Sequence, residues 1–71
     1  MLDPKLCTYK RIRFEVVFTY PGHISKEEAA ELQTHCGYHP VGYGGPNKLT
    51  HDKDGSTTWY VLTIAINGLN I

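Results

Sequence analysis

His35, Cys36 and His39 are the tightest grouping of metal-ligand and nucleophile types in the chain, with His23 and His51 placed elsewhere. Zinc takes four ligands, and its diagnostic patterns set one pair of cysteines or histidines against a second pair. Here a single thiol stands near the histidines and Gly37 interrupts the helical spacing between them. The expectation is therefore no bound metal or other cofactor, with histidines at a helix C-terminus serving the dipole and capping carbonyls. Cys36 beside His35 also has the residue types of an activated thiol nucleophile. Neighbouring helical residues, however, point about 100° apart, and Cys36 falls on an apolar stripe where burial makes a thiol inert. No enzymatic activity is expected.

Two further stretches invite chemistry and are better read as turns. Gly42-Tyr43-Gly44-Gly45-Pro46 has the glycines of a phosphate cradle. Such a cradle must open a helix, with Lys and Ser or Thr following, and this one leads into Asn47, Lys48 and a strand-like run. A bend that brings the backbone close to a neighbour is expected instead. Asp52, Asp54 and Gly55 resemble the start of a calcium loop without its closing bidentate glutamate. A tight hairpin turn at Lys53-Asp54-Gly55-Ser56 accounts for them, with positive φ at both central residues.

The elements that hold these residues can be read from periodicity. Ile12, Phe14, Val16, Phe18 and Tyr20 alternate with more polar neighbours over one long strand that Pro21-Gly22 stops. Ser25-Lys26-Glu27-Glu28 is a capping box, which predicts a helix from Lys26 to Cys36 with Gly37 at its left-handed stop. Its stripe of Ala29, Leu32 and Cys36 is narrow and small, so it should lie close on a sheet. Tyr38 to Tyr43 reads as a short edge strand, because Pro40 cannot donate to a ladder, and Leu49 to His51 resumes it. Thr57 to Ile66 is the longest β-rich run, ended by Asn67-Gly68. The expected class is α+β: a three-stranded sheet with one helix on one face, β-α-β-β, with strand order 1-3-2 favoured over 1-2-3.

Size and charge narrow the function. The chain has 71 residues, with seven Lys and Arg against seven Asp and Glu, so its formal net charge is zero. That length accommodates one domain over 1–71, with 1–9 read as an N-terminal arm and 67–71 as a short tail. Balanced charge disfavours a protein that lives by neutralising phosphates. No apolar run approaches the roughly 20 residues that span a bilayer. Met1 leads into Asp3, Pro4 and Lys5 rather than a secretory signal, so a cytoplasmic protein with reduced thiols is expected. Two cysteines, Cys7 and Cys36, are too few for a disulfide framework. Both are read as small apolar residues, with a single bridge between them as the alternative.

A three-stranded sheet with one helix has an open face. In the last strand Tyr60, Leu62, Ile64 and Ile66 form the better core set, which sends Trp59, Val61, Thr63 and Ala65 outward. With Val17 from the first strand, Trp59 and Val61 would make an exposed apolar patch of the kind that marks a partner surface or a homodimer. Tyr43 lies at its edge, and Arg11 and Arg13 would sit at its rim. The same aromatic and arginines could stack and neutralise a single-stranded nucleic acid, which is the alternative reading.

Ser25-Lys26-Glu27-Glu28-Ala29, Gly37-Tyr38-His39-Pro40-Val41-Gly42-Tyr43-Gly44 and Thr57-Thr58-Trp59 together resemble a group of very small, uncharacterised proteins of bacteriophage, prophage and mobile-element gene clusters. The resemblance runs from Phe14 to Trp59. Members often carry cysteines after the tryptophan, where this chain has Val61, Leu62 and Ala65, so no shared thiol or metal chemistry follows. The resemblance implies a phage-derived inhibitor, anti-CRISPR or otherwise anti-defence, or an accessory protein, that binds a host protein in the host cytoplasm.

Overall fold

The alternation in the first part of the chain belongs to two strands, folded back on each other, rather than to one. A computed structural model describes residues 2–62. A 3-10 turn over Pro4–Leu6 leads into β1 (Thr8–Ile12), followed by β2 (Glu15–Tyr20), α1 (Lys26–His35), β3 (Gly44–His51) and β4 (Thr57–Leu62). The sheet is antiparallel throughout, with spatial order β1-β2-β4-β3. The class is α+β, but the expected three-stranded sheet in order 1-3-2 is corrected: there are four strands among the described residues, and the extra one is β1. Arg13 and Phe14 are the two central residues of a hairpin turn that pairs Ile12 with Glu15. A two-residue turn leaves the apolar alternation unbroken, so Ile12, Phe14 and Val16 still read as one strand. Nor does the turn carry Gly, Pro, Asn or Asp; Arg13 itself takes the left-handed φ of 56°.

The helix forms where the capping box places it. Ser25 Oγ accepts from the amide of Glu28 at 3.1 Å, and Glu28 Oε1 accepts from the amide of Ser25 at 2.9 Å. At the other end, the amides of Gly37 and Tyr38 donate back to Thr34 and Gln33 carbonyls, both at 2.9 Å. That paired closure requires a left-handed residue, which Gly37 supplies at φ 97°. Thr57 ties the entry of the helix to the sheet: its hydroxyl donates to Gly22 O and accepts from the Ile24 amide.

Tyr38 to Tyr43 is not a strand. It crosses the helix-side face as turns, and Tyr38 and Tyr43 pack on the core. The edge strand begins later, at Gly44, and takes in Gly44, Gly45 and Pro46 of the stretch read as a bend. Gly45 allows this: at φ 132°, a Cβ there would lie 2.9 Å from Tyr60 O and 3.2 Å from Val61 Cγ2. A bulky residue would push β3 off β4. The β3–β4 turn is present at the predicted residues, closed by Asp52 N–H to Ser56 O at 2.8 Å and Gly55 N–H to Asp52 O at 3.1 Å. Only Gly55 takes a positive φ there; Asp54 does not. This is the longer hairpin built on an ordinary turn plus one left-handed residue.

The core is one layer between sheet and helix. Val16, Phe18, Tyr20, Trp59 and Val61 point from the sheet towards Ile24, Ala29 and Leu32. Phe18 stacks on Trp59 at 5.3 Å, and Tyr9 stacks on the other side of Phe18 at 5.2 Å. The expectation that Tyr60, Leu62, Ile64 and Ile66 form the core side of the last strand is overturned at Tyr60 and Leu62, since cross-strand pairing puts Trp59 opposite Phe18 and Val61 opposite Val16. Ile64 and Ile66, with Thr63, Ala65 and the 67–71 tail, lie outside the described residues. Among the described residues no helix is long and apolar enough to cross a membrane.

Candidate functional site

The face of the sheet away from α1 follows from the register. Thr8 is opposite Thr19, Lys10 opposite Val17 and Val17 opposite Tyr60, so these side chains share one surface across β1, β2 and β4. Between them lies an open depression of about 460 Å³, lined in part by Lys10, Ile12, Val17, Thr19 and Tyr60. Ile12 is 51 % exposed, and Leu62, 36 % exposed, extends the apolar surface along β4. Lys48, on the bulged part of β3 at φ 54°, places its ammonium 5.6 Å from the centroid of the Tyr60 ring. The depression therefore combines aliphatic walls with two tyrosines, Tyr9 and Tyr60, and with Lys10, while the Lys48 ammonium lies over the Tyr60 ring beside it. Such a surface can take up an apolar side chain and hydrogen-bond its surroundings, the use to which tyrosine is put at protein interfaces.

Of the six contact residues expected from the sequence, Trp59, Val61, Val17, Tyr43, Arg11 and Arg13, only Val17 lies on this face. Trp59 and Val61 are both 0 % exposed and belong to the core, so neither can touch a partner in the folded chain. Tyr43 is on the helix side, edge-on to Tyr38 at 5.1 Å. Arg11 pairs with Val16 and so shares the helix-side face, while Arg13 occupies the β1–β2 turn with its carbonyl accepting from Arg11 Nε at 3.2 Å. The expected arginine rim is thus not assembled around the open face. Sequence reasoning missed Ile12, Tyr60 and Leu62, because it read β1 and β2 as one unbroken strand and took the wrong phase for the last one. The run Thr57–Leu62 is apolar on both sides, and nothing within it says which side is covered.

The histidine and cysteine group is dispersed as well. His35 and His39 are exposed, and His39 Nδ1 accepts from the Val41 amide at 3.2 Å. Cys36 caps the helix and packs on the core. Among the described residues no group of three or more His, Cys, Asp and Glu is placed to share a metal ion.

A second polar cluster lies at the opposite end of the sheet, where the sequence showed only isolated histidines. The rings of His23 and His51 stack at 4.7 Å. His51 Nε2 donates to Ile24 O at 2.7 Å and His23 Nε2 to Asp52 O at 3.0 Å, the only roles open to a ring nitrogen facing a carbonyl. Asp52 accepts from Thr58 Oγ1 at 2.6 Å and from Thr50 Oγ1 at 3.2 Å. Ser56 Oγ, with one proton, lies 2.6 Å from Asp54 and 3.0 Å from Asp52 and serves mainly the nearer carboxylate. The hydroxyls of Thr58 and Ser56 hold Asp52 below the usual carboxylate range, and Ser56 does the same for Asp54. These bonds saturate the cluster locally, and it reads as the pin of the β3–β4 turn rather than a reactive centre.

Comparison of the chain with family models, curated proteins and solved structures found no match. The functional reading therefore rests on the geometry of the face itself.

Proposed function

We propose that this protein is a non-enzymatic binding module that grips a partner protein with the open face of its sheet. The observation that carries the reading is the apolar depression of about 460 Å³ on the side of the sheet opposite α1. Its contact residues are Ile12, Val17 and Tyr60, with Leu62 beside them and Lys10 and Lys48 supplying charge. An apolar side chain of the partner fills the depression, and the lysines favour carboxylates around it. The resemblance to small phage and mobile-element proteins supports taking that partner to be a host protein and this module to be its inhibitor or accessory factor.

The test is a variant that alters the face without entering the core. Val17→Thr with Tyr60→Thr keeps strand-compatible residues and should leave the melting curve close to that of the parent. Affinity capture from host lysate should retain a protein with the parent chain and lose it with the variant. Equal capture by both would sink the assignment of this face. Sub-micromolar binding of an oligonucleotide at physiological salt, falling steeply as salt rises, would replace it with the nucleic-acid reading. Sedimentation completes the set, because a parent dimer that the variant turns into a monomer would make a second copy the occupant.

A further inference from the structure

β1 is one edge of the sheet, and among the described residues it pairs only with β2. The two-residue turn at Arg13 and Phe14 makes Ile12 and Glu15 a pair that exchanges both main-chain bonds, and the alternation carries this to Lys10 with Val17 and Thr8 with Thr19. Tyr9 and Arg11 therefore turn their N–H and C=O groups away from β2, to the rim of the sheet. The register runs without a shift from Thr8 to Ile12, and all five residues are exposed. The opposite edge is built differently: β3 carries Pro46 and two register shifts, the devices that keep a further strand from joining. Charge is just as unevenly placed. Lys5, Lys10, Arg11 and Arg13 are four of the seven cations, all four are exposed, and no acidic residue stands between Asp3 and Glu15.

We infer that this edge takes up an extended acidic segment of the partner protein, which joins the sheet as a further strand beside β1. The inference rests on the reading of the chain as a binding module and names the chemistry of what it binds. Main-chain bonds to Tyr9 and Arg11 supply an attraction indifferent to sequence, and side chains at alternate positions supply the selectivity. Lys10 stands on the open face beside the depression and Arg11 on the helix side. Carboxylates at neighbouring positions of the added strand thus meet a cation on either face. An apolar residue of the same strand lies next to exposed Ile12 and prolongs the wall of the depression. A second copy of the chain is the poorer occupant, because a β1–β1 pair sets the same four cations against themselves. A nucleic acid answers the cations, but its phosphates only accept and leave the carbonyls of Tyr9 and Arg11 unmet.

The experiment titrates the full chain with a capped peptide of alternating Glu and Val, about eight residues long, and reads amide exchange residue by residue. In the free chain the Tyr9 and Arg11 amides should exchange faster than those of Lys10 and Ile12, which already bond to β2. At saturating peptide they should slow by about tenfold or more, and the affinity should fall as salt rises. A Lys-Val peptide of the same length should not bind. Nor should a fully N-methylated copy of the Glu-Val peptide, which keeps the charge and has no N–H to give. Lys10→Gln with Arg11→Gln leaves the main chain of the edge in place and should weaken binding by about tenfold or more. Rim amides as slow in the free chain as those of Lys10 and Ile12, binding without protection at Tyr9 and Arg11, or equal binding of either control peptide would each overturn the inference. So would protection that a single-stranded oligonucleotide produces equally, or that grows with protein concentration alone and makes a second copy the occupant. No protection by the peptide, with lysate capture still lost on Val17→Thr with Tyr60→Thr, would reject the edge and keep the open face. Protection at the edge with capture indifferent to that variant would do the reverse. The exchange measurements are made on the parent chain, so the result does not depend on a variant folding.

Discussion

Asp52 shows how a residue that resembles a metal ligand in sequence becomes a structural pin. Its carboxylate accepts from the hydroxyls of Thr58 and Thr50, beside that of Ser56, while its backbone closes the β3–β4 turn. Bonds from Thr58 first, then Ser56, favour its charged form and lower its folded-state pKa. A depressed carboxylate adds stability that is present above its unfolded value of about 4 and is lost as pH falls through the folded value. The hairpin should therefore loosen only in acid, below the ordinary carboxylate range. Thr58→Val should move the Asp52 titration, followed by carboxyl NMR, upward towards that range and weaken the acid sensitivity of amide exchange at Gly55. An unchanged Asp52 midpoint in the variant would show that Thr58 does not hold it. Ser25 and Gly37, by contrast, act as their neighbours in sequence suggest, because a cap depends on residues within one turn of it.

At the scale of elements, the informative feature is the β1–β2 turn. Arg13 takes a left-handed φ of 56°, a conformation that costs an L-residue with a Cβ about 1 kcal/mol and glycine almost nothing. The hydrogen bond it makes from within the turn uses its backbone carbonyl, which Arg11 Nε reaches at 3.2 Å and which glycine retains. Arg13→Gly should stabilise the fold by about 0.5–1 kcal/mol, raising the melting midpoint by a few degrees. A lower midpoint would show that the arginine side chain contributes more than its backbone costs. The helix and the Asp54-Gly55 turn were legible because caps and turn residues act locally. The first hairpin was not, because its two central residues carry no turn signature and its length preserves the alternation on either side.

For the whole molecule, the decisive residue is Trp59. It is fully buried and stacked on Phe18, at the centre of the single core layer. Truncating a buried tryptophan costs about 3–5 kcal/mol, out of the about 4–10 kcal/mol expected of a domain this size. Trp59→Ala should therefore lower the melting midpoint by more than about 10 °C or abolish the cooperative transition, and any loss of binding would report unfolding. A variant that melts like the parent would place Trp59 outside the core. The sequence by itself determined the α+β class, the capped helix from Lys26, the turn at Asp54-Gly55 and the β-rich run from Thr57, all written in periodicity and local capping. Only the tertiary structure decided the number of strands, the burial of Trp59 and Val61, and the placing of Ile12 and Tyr60 on the open face. The reason is pairing: a strand apolar on both sides has no face of its own until a neighbour sets its register, and a shift of one residue exchanges core for surface.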